Sequence, residues 1–431
     1  MTHRKILFKQ MSKTLIKNLD DLIKYPYRQE ALSIVEAGMN AIGTDKIITS
    51  AISIEEESLQ IEDLKIDLSK FKRIRVIGFG KASCEAAISL EKILGSRIKD
   101  GVVIDIKKTE CEFITSLIGT HPRSSLQNVS ATKQILDLIK DTNDNDLVLV
   151  IVSGGGSALL CSTEDERAQG EKLYNEFIKV GGNIGELNTV RKHLSSLKGG
   201  GLAKILYPAT VVGLIFCDIP EGYCEETASG PTYKDGTTVE DAQAILDKYG
   251  FKGFELSETP KEDVYFEKVH NINLVSSIDA LTAMSEKAKS LGFEVKILST
   301  SIHDTPEETV NNFKSLSTSR SIVMGGGEVR LAVERNSGSG GRCTYLALEA
   351  VPHLKDNDIF IAVASDGIDN SEAAGAIVDK NTLNKIKELK LDPQDYLFRY
   401  NTYNFFKKTD DLIITGQTGS NVSDLMLWIK Q

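Results

Sequence analysis

The sequence predicts an α/β protein of two domains, each built on a mainly parallel sheet flanked by helices. Two observations lead there. Short, continuously apolar and β-branched runs recur along the chain, separated by longer amphipathic stretches. Continuous runs of this kind suit strands buried on both faces, and so parallel sheets covered by helices. The second observation is one break in the rhythm, between Gly230 and about His270. Pro231, Gly236, Gly250, Gly253 and Pro260 fall there, followed by Glu262, Asp263, Glu267 and Lys268. A boundary near the start of that break divides the chain into residues 1–235 and 236–431.

Taken in order, the basic N-terminus comes first. Ile6, Met11, Leu15 and Leu19 fall near helical spacing and predict a helix. The predicted strands then follow at Ile74–Ile77, Val102–Ile106, Leu147–Val152, Thr210–Phe216, Ile272–Val275, Val295–Leu298, Ile322–Met324, Ile359–Ala364 and Leu412–Thr415. Leu147–Gly156 and Ser321–Gly327 each read as an apolar strand ending in three glycines. Two domains of similar plan would produce that echo, and so would coincidence.

Bulk properties exclude several classes. The chain has 431 residues, 41% of them hydrophobic and 26% charged, which is a globular composition. A net charge of −10 offers no general basic face for nucleic acid or a membrane surface. No stretch approaches the ~20 apolar residues of a membrane span. Cys84, Cys111, Cys161, Cys217, Cys224 and Cys343 include no CxxC pair, and are expected as reduced thiols of a cytoplasmic protein. Homo-oligomerisation is left open.

Ligands of open α/β sheets bind beyond the carboxyl ends of the strands. Here those ends share a character: Gly78-Phe79-Gly80-Lys81, Ser153-Gly154-Gly155-Gly156-Ser157, Gly325-Gly326-Gly327-Glu328, Ser365-Asp366-Gly367, and Gly416-Gln417-Thr418-Gly419. Glycine lets backbone N–H groups approach an anion closely, and a helix start adds free N–H groups. Any one loop would serve as a tight strand-to-helix turn, but five together point to phosphate or carboxylate cradles. There is no GxxxxGK[ST], and Ser83 stands where a dinucleotide fingerprint wants glycine or alanine.

Three further features carry charge to such loops. Asn188–Gly201, taken as a helix, puts Arg191, Ser195 and Lys198 on one face. This is a basic face toward phosphate, or a solvated surface helix. Arg342 ends the glycine-rich segment Glu334–Gly341 and offers a planar fork to a phosphate. Asp218 follows the strand Thr210–Phe216, a common position for a Mg²⁺ contact or for proton handling, and equally for a helix cap.

Together these stretches resemble the glycerate 2-kinases named for a C-terminal MOFRL domain. The matches are Gly78–Ala82, Gly119–Pro122 with His121, Ser153–Leu159, Asn188–Ala203, Ala228–Thr232, Gly325–Val329, Gly338–Leu348, Asp366–Ala376 and Gly416–Leu425. The resemblance implies an active site in a cleft between two α/β domains, Mg-ATP as donor and D-glycerate as acceptor. It implies Lys81 and Arg342 as active-site residues. Ser153–Ser157, Arg191, Lys198 and Gly325–Glu328 become the expected phosphate contacts. Asp218 and Asp366 become candidates for Mg²⁺ contact or for taking the hydroxyl proton, the two roles left undivided. The chain departs from the family at Ile219–Tyr223, where a glycine and two aspartates are usual, and at Ser124 and Ser125, where a proline and an acid are usual. Two rival functions are an NAD-dependent hydroxypyruvate reductase and a non-catalytic metabolite sensor.

Overall fold

The structure, a computed structural model, describes residues 14–25, 27–181, 183–217, 224–331 and 338–430. These residues fold as two compact units, and the division differs from the expected one. One unit is Thr44–Ser276; the other joins the chain up to Gly43 with everything from Ser277 onward.

The first unit opens with a small antiparallel sheet of β1 (Ile52–Glu55), β2 (Ser58–Ile61) and β3 (Leu64–Asp67). Its main sheet holds β4 (Arg73–Phe79), β5 (Ile98–Asp105), β6 (Ile114–Ile118), β7 (Asp146–Val152), β8 (Thr210–Phe216) and β9 (Val269–Val275). The spatial order is β6-β5-β4-β7-β8-β9, and all five pairings are parallel. Every residue of β7 is buried, as its unbroken apolar run requires of a strand covered on both faces. On one face Ala131, Ile135 and Ile139 of the helix Leu126–Ile139 join Ile77, Val102, Val148 and Val150 in a single core. The boundary expected at residue 235 fails because β9 returns to this sheet and pairs with β8. The Gly- and Pro-rich break is a connection within one unit.

The second unit carries β10 (Glu294–Ile297), β11 (Ser321–Gly327), β12 (Asp358–Ala364), β13 (Gly375–Val378), β14 (Leu412–Ile413) and β15 (Asp424–Lys430), in the order β10-β11-β15-β12-β13-β14. Only β10 and β11 pair in parallel. The C-terminal strand β15, absent from the sequence expectation, inserts between β11 and β12 and pairs antiparallel with both, and β12–β13 and β13–β14 are antiparallel as well. The expectation of mainly parallel sheets thus holds for the first unit and not for this one.

The N-terminal residues belong to the second unit for a packing reason. The helix Arg28–Ala41 lies so close to the helix Ser277–Ser290 that a Cβ on Gly38 would stand 2.6 Å from Met284 Cγ. Arg28 is buried and donates from Nε to Asp379 at 2.8 Å and from Nη2 to Asp411 at 2.8 Å. Of the predicted first helix, Ile6 and Met11 lie outside the described residues. The described helix begins at Leu19; before it, Lys17 N–H donates to the Ile414 carbonyl beside β14.

Among the cysteines, Cys217 and Cys224 form a disulfide, contrary to the expectation of six thiols. Only the fold brings their Cα atoms to 5.3 Å, and no sequence motif marks the pair. Among the described residues no helix is long and apolar enough to cross a membrane.

Candidate active site

The strand order of the first unit reverses direction between β4 and β7. In doubly wound sheets the crevice outside the strand ends at this switch point is where ligands bind. Lys81 follows β4 and Ser153–Ser157 follows β7, so the topology brings these two predicted loops together. Lys81 N–H donates to the Gly154 carbonyl at 2.9 Å, and Ala82 N–H donates to Ser153 Oγ at 3.1 Å. Gly80 and Gly155 have positive φ, and a Cβ on Gly80 would stand 2.1 Å from Ser153 Oγ. Both turns need glycine, the first because it lies on the protein's own backbone.

The Lys81 ammonium makes no ion pair or hydrogen bond among the described residues. Its aliphatic stem lies beside Gly155, and His121 flanks the same glycine: a Cβ there would meet His121 Cδ2 at 2.9 Å and Lys81 Cγ at 3.4 Å. The N–H groups of Gly154, Gly155 and Ser157 donate to no partner among the described residues. By contrast, the N-terminus of the helix Ser83–Leu94 is already filled, since Cys84 N–H donates to Asp105 Oδ2 at 3.0 Å. Partial burial, and then the Lys81 charge, hold the His121 imidazole below its usual range, so it is neutral at pH 7.

Arg191 and Lys198 reach the same unit with different fates. The helix expected through both ends at His193, and Ser195 Oγ accepts from Leu197 and Lys198 N–H in the turn beyond. Lys198 is buried and its ammonium donates to Glu166 at 2.6 Å and to the Leu160 carbonyl at 2.8 Å. Burial opposes ionisation of Glu166, yet Lys198 holds its carboxyl below the usual range. Lys198 is thus engaged by Glu166 and the Leu160 carbonyl within its own unit. Arg191 has no carboxylate partner among the described residues. Among the described residues its side chain donates to one side-chain acceptor, from Nη1 to Asn188 Oδ1 at 3.0 Å.

In the second unit Glu328 follows β11, Asp366 follows β12, and Asp424 opens the antiparallel β15 between them, opposite Gly327 and Ala364. Register alone thus gathers three carboxylates at one end of the sheet. Arg342 starts the helix Arg342–Ala350 and sits among them, with Nη1 2.8 Å from Glu328 and Nε 3.2 Å from Asp424. A cavity of about 480 Å³ is lined by these residues with Asp369, Tyr400 and Asn421. Burial pushes the Asp424 carboxyl up to about 7, against the pull of Arg342. Asp369 accepts from Cys343 N–H at 3.0 Å and Thr344 N–H at 2.8 Å, filling this helix N-terminus as Asp105 fills the other.

The remaining predicted residues divide. Asp366 lines the Arg342 cavity, one oxygen accepting from Ile368 N–H at 2.9 Å. Gly325–Gly327 lie inside β11 rather than beyond it. Gly326 N–H donates to the Ser299 carbonyl, and Cβ atoms on Gly325 and Gly327 would stand 2.7 and 2.2 Å from Ile302 atoms. Expected as a phosphate cradle, these glycines lie within a paired strand and pack on Ile302. Of the glycine-rich segment Glu334–Gly341, residues 334–337 lie outside the described residues, while Gly338 N–H donates to the Arg399 carbonyl and Ser339 N–H to Asn401 Oδ1. Asp218 lies outside the described residues. Sequence reasoning missed Asp105, Asp369 and Asp424; the apolar run Leu425–Ile429 was the one available signal for β15 and hence for Asp424.

Fold and site define a doubly wound α/β protein whose switch point gathers a lysine and backbone N–H groups that have no partners among the described residues, joined in one chain to a second, mixed-sheet unit. Comparison with known proteins narrows that class. Residues 30–262 match the domain of unknown function DUF4147, and residues 321–424 match the MOFRL family. The glycerate 2-kinase of Pyrococcus horikoshii is 30% identical, the match covering 95% of this chain and 98% of that protein. A putative hydroxypyruvate reductase of Agrobacterium vitis is 33% identical over 82% of this chain and 86% of its own length. The crystal structure of the Thermotoga maritima glycerate kinase superposes with a TM-score of 0.83 at 30% identity, covering 94% of this chain and 99% of the other. The chain belongs to the glycerate 2-kinase family that carries a C-terminal MOFRL domain.

Proposed function

We propose that this chain transfers the γ-phosphate of ATP to D-glycerate and releases 2-phosphoglycerate. The observation that carries the reading is the switch-point site: the Lys81 stem lies beside Gly155, its ammonium has no partner among the described residues, and the N–H groups of Gly154, Gly155 and Ser157 have none among them either. Such donors stabilise the charge that a transferring phosphoryl group spreads over its oxygens. The names of the Pyrococcus and Thermotoga relatives supply the acceptor.

In this mechanism Lys81 neutralises charge on the phosphoryl group while Gly154, Gly155 and Ser157 N–H groups orient it. Arg342, aimed by Glu328 and Asp424, donates no hydrogen bond from Nη2 to any described residue, which leaves that nitrogen for substrate. Magnesium bound with ATP would shield the charge of its phosphates. Such sites take only one or two protein carboxylates. Asp366 fits, with one oxygen unengaged by any described residue. Asp369 does not, because backbone N–H groups hold both of its oxygens. Among the described residues no group of three or more His, Cys, Asp or Glu forms a closed metal cage. Asp218 stays a candidate for metal contact or for taking the hydroxyl proton on its sequence position alone.

The reductase reading fits this site less well. A dinucleotide pyrophosphate needs the helix N-terminus after the first strand of the sheet core. Here Asp105 holds that N-terminus and Gly80 lies on Ser153. The deciding experiment is incubation with Mg-ATP and D-glycerate, followed by NMR identification of the product. Formation of 2-phosphoglycerate is expected. No phosphate transfer, or oxidation of NADH by hydroxypyruvate instead, would overturn the reading.

A further inference from the structure

A second cavity, about 350 Å³, opens in the first unit beside the switch point. Its walls include His121, Ser157, Glu166, Glu171, Tyr174 and Arg191. Its size lies at the small end of ligand pockets, which run from about 300 to 1,000 Å³.

The charges on this wall do not balance. Glu166 is matched by Lys198 at 2.6 Å. Glu171 is matched by Arg167 at 3.2 Å and by Arg123 at 4.0 Å. Arg191 is left over, with no acid among the described residues within ion-pair distance and only Asn188 accepting from it. Burial lowers its proton affinity, to about 10, with the Tyr174 hydroxyl as a weak counterweight. A recessed guanidinium still carries its charge at pH 7, and an unpaired one in a low-dielectric wall is costly unless an anion completes it. His121, on the same cavity, is neutral and flanks the glycine that Lys81 also touches. A neutral imidazole accepts a hydrogen bond from a hydroxyl without adding charge.

We infer that this cavity is the acceptor subsite, where Arg191 binds the carboxylate of a small hydroxy acid and His121 orients its hydroxyl toward the Lys81 loop. The inference rests on the kinase reading for the identity of the acid, and assigns Arg191 to the acceptor's carboxylate rather than to ATP. A carboxylate and a phosphate offer similar oxygens to a guanidinium fork, so the test separates the two sources.

Binding of D-glycerate, of its uncharged amide glyceramide, and of ATP is measured by calorimetry on the full chain, without turnover. Charge-assisted bidentate bonds to arginine contribute enough for about a 10- to 100-fold change in affinity. Arg191→Gln is expected to weaken D-glycerate by that factor and leave ATP unchanged, with Arg191→Lys in between. The unmutated protein is expected to bind glyceramide weaker than D-glycerate by a similar factor, a comparison that does not depend on any variant folding. Equal affinity for glyceramide and D-glycerate, or loss of ATP affinity in place of D-glycerate affinity in Arg191→Gln, overturns the assignment. If D-glycerate binds through Arg191 but receives no phosphate, the kinase reading fails and this subsite stands. If phosphate is transferred and D-glycerate affinity ignores Arg191, the subsite fails and the kinase reading stands.

Discussion

Gly154–Gly156 and Gly325–Gly327 look alike in the sequence, each an apolar strand running into three glycines. In the first unit the run begins after β7 has ended, and two of its N–H groups, with that of Ser157, remain free of described partners. In the second unit the run is part of β11, paired with β15 along its length and pressed onto Ile302. A glycine run thus reports that something comes close to the backbone. Whether that is a ligand or the protein itself depends on where the strand stops. The two helix N-termini teach the complementary lesson, since Asp105 and Asp369 fill both with internal carboxylates.

The comparison can be broken or sharpened by substitution. Lys81→Ala carries the largest expected effect. Removing one transition-state charge contact lowers kcat by about 10²–10³, with the circular-dichroism spectrum and melting temperature little changed. Near-normal turnover would remove the first glycine run from the active site. Gly325→Ala tests the other run. Its Cβ would stand 2.7 Å from Ile302 Cδ1, an overpacking expected to destabilise the fold by about 1–3 kcal/mol. Denaturant titration should show that loss, and turnover per folded molecule should hold. Lost turnover in a stable Gly325→Ala protein would restore the phosphate role.

A smaller effect is expected at Gly155, whose φ of 83° disfavours any side chain and whose Cβ would press on His121. Gly155→Ala should lower stability by about 1 kcal/mol and kcat/KM by about tenfold through misplacement of the loop. Unchanged kinetics would place His121 and the loop outside the reaction.

The subtlest contrast is one of pH. The Asp424 carboxyl, raised to about 7 chiefly by burial, is protonated in the folded chain where the unfolded chain has already lost its proton. Its contribution to stability is complete below the ordinary carboxylate range and declines as pH rises toward about 7. Asp424→Asn cannot ionise, so its stability relative to the unmutated chain should rise between pH 4 and pH 7 and then level off. A difference that stays flat across that window would show that Arg342 keeps Asp424 ionised throughout.

Much of the first unit was legible because a parallel strand buried on both faces must be apolar throughout. β7 and β8 announce themselves that way almost end to end, and β5 does so through its apolar stretch Val102–Ile104. Lys81 and Ser153–Ser157 were legible for a related reason: parallel strands deliver their following residues to one edge, so strand ends can be read in advance. Asp424 was not, because an antiparallel strand brings its first residue to that edge, and nothing local says which direction β15 runs.

The sequence by itself determined the α/β class, the glycine-rich strand ends and the family, because composition, apolar runs and motif order are properties of the chain. Partnership is not such a property. Lys198 and Arg191 stand seven residues apart with the same charge, yet only the packed structure pairs one with Glu166 and leaves the other without an acid among the described residues. The same holds for the return of β9 to the first sheet and for the pairing of Cys217 with Cys224. Each was decided by proximity across the fold, which the spacing of residues along the chain does not encode.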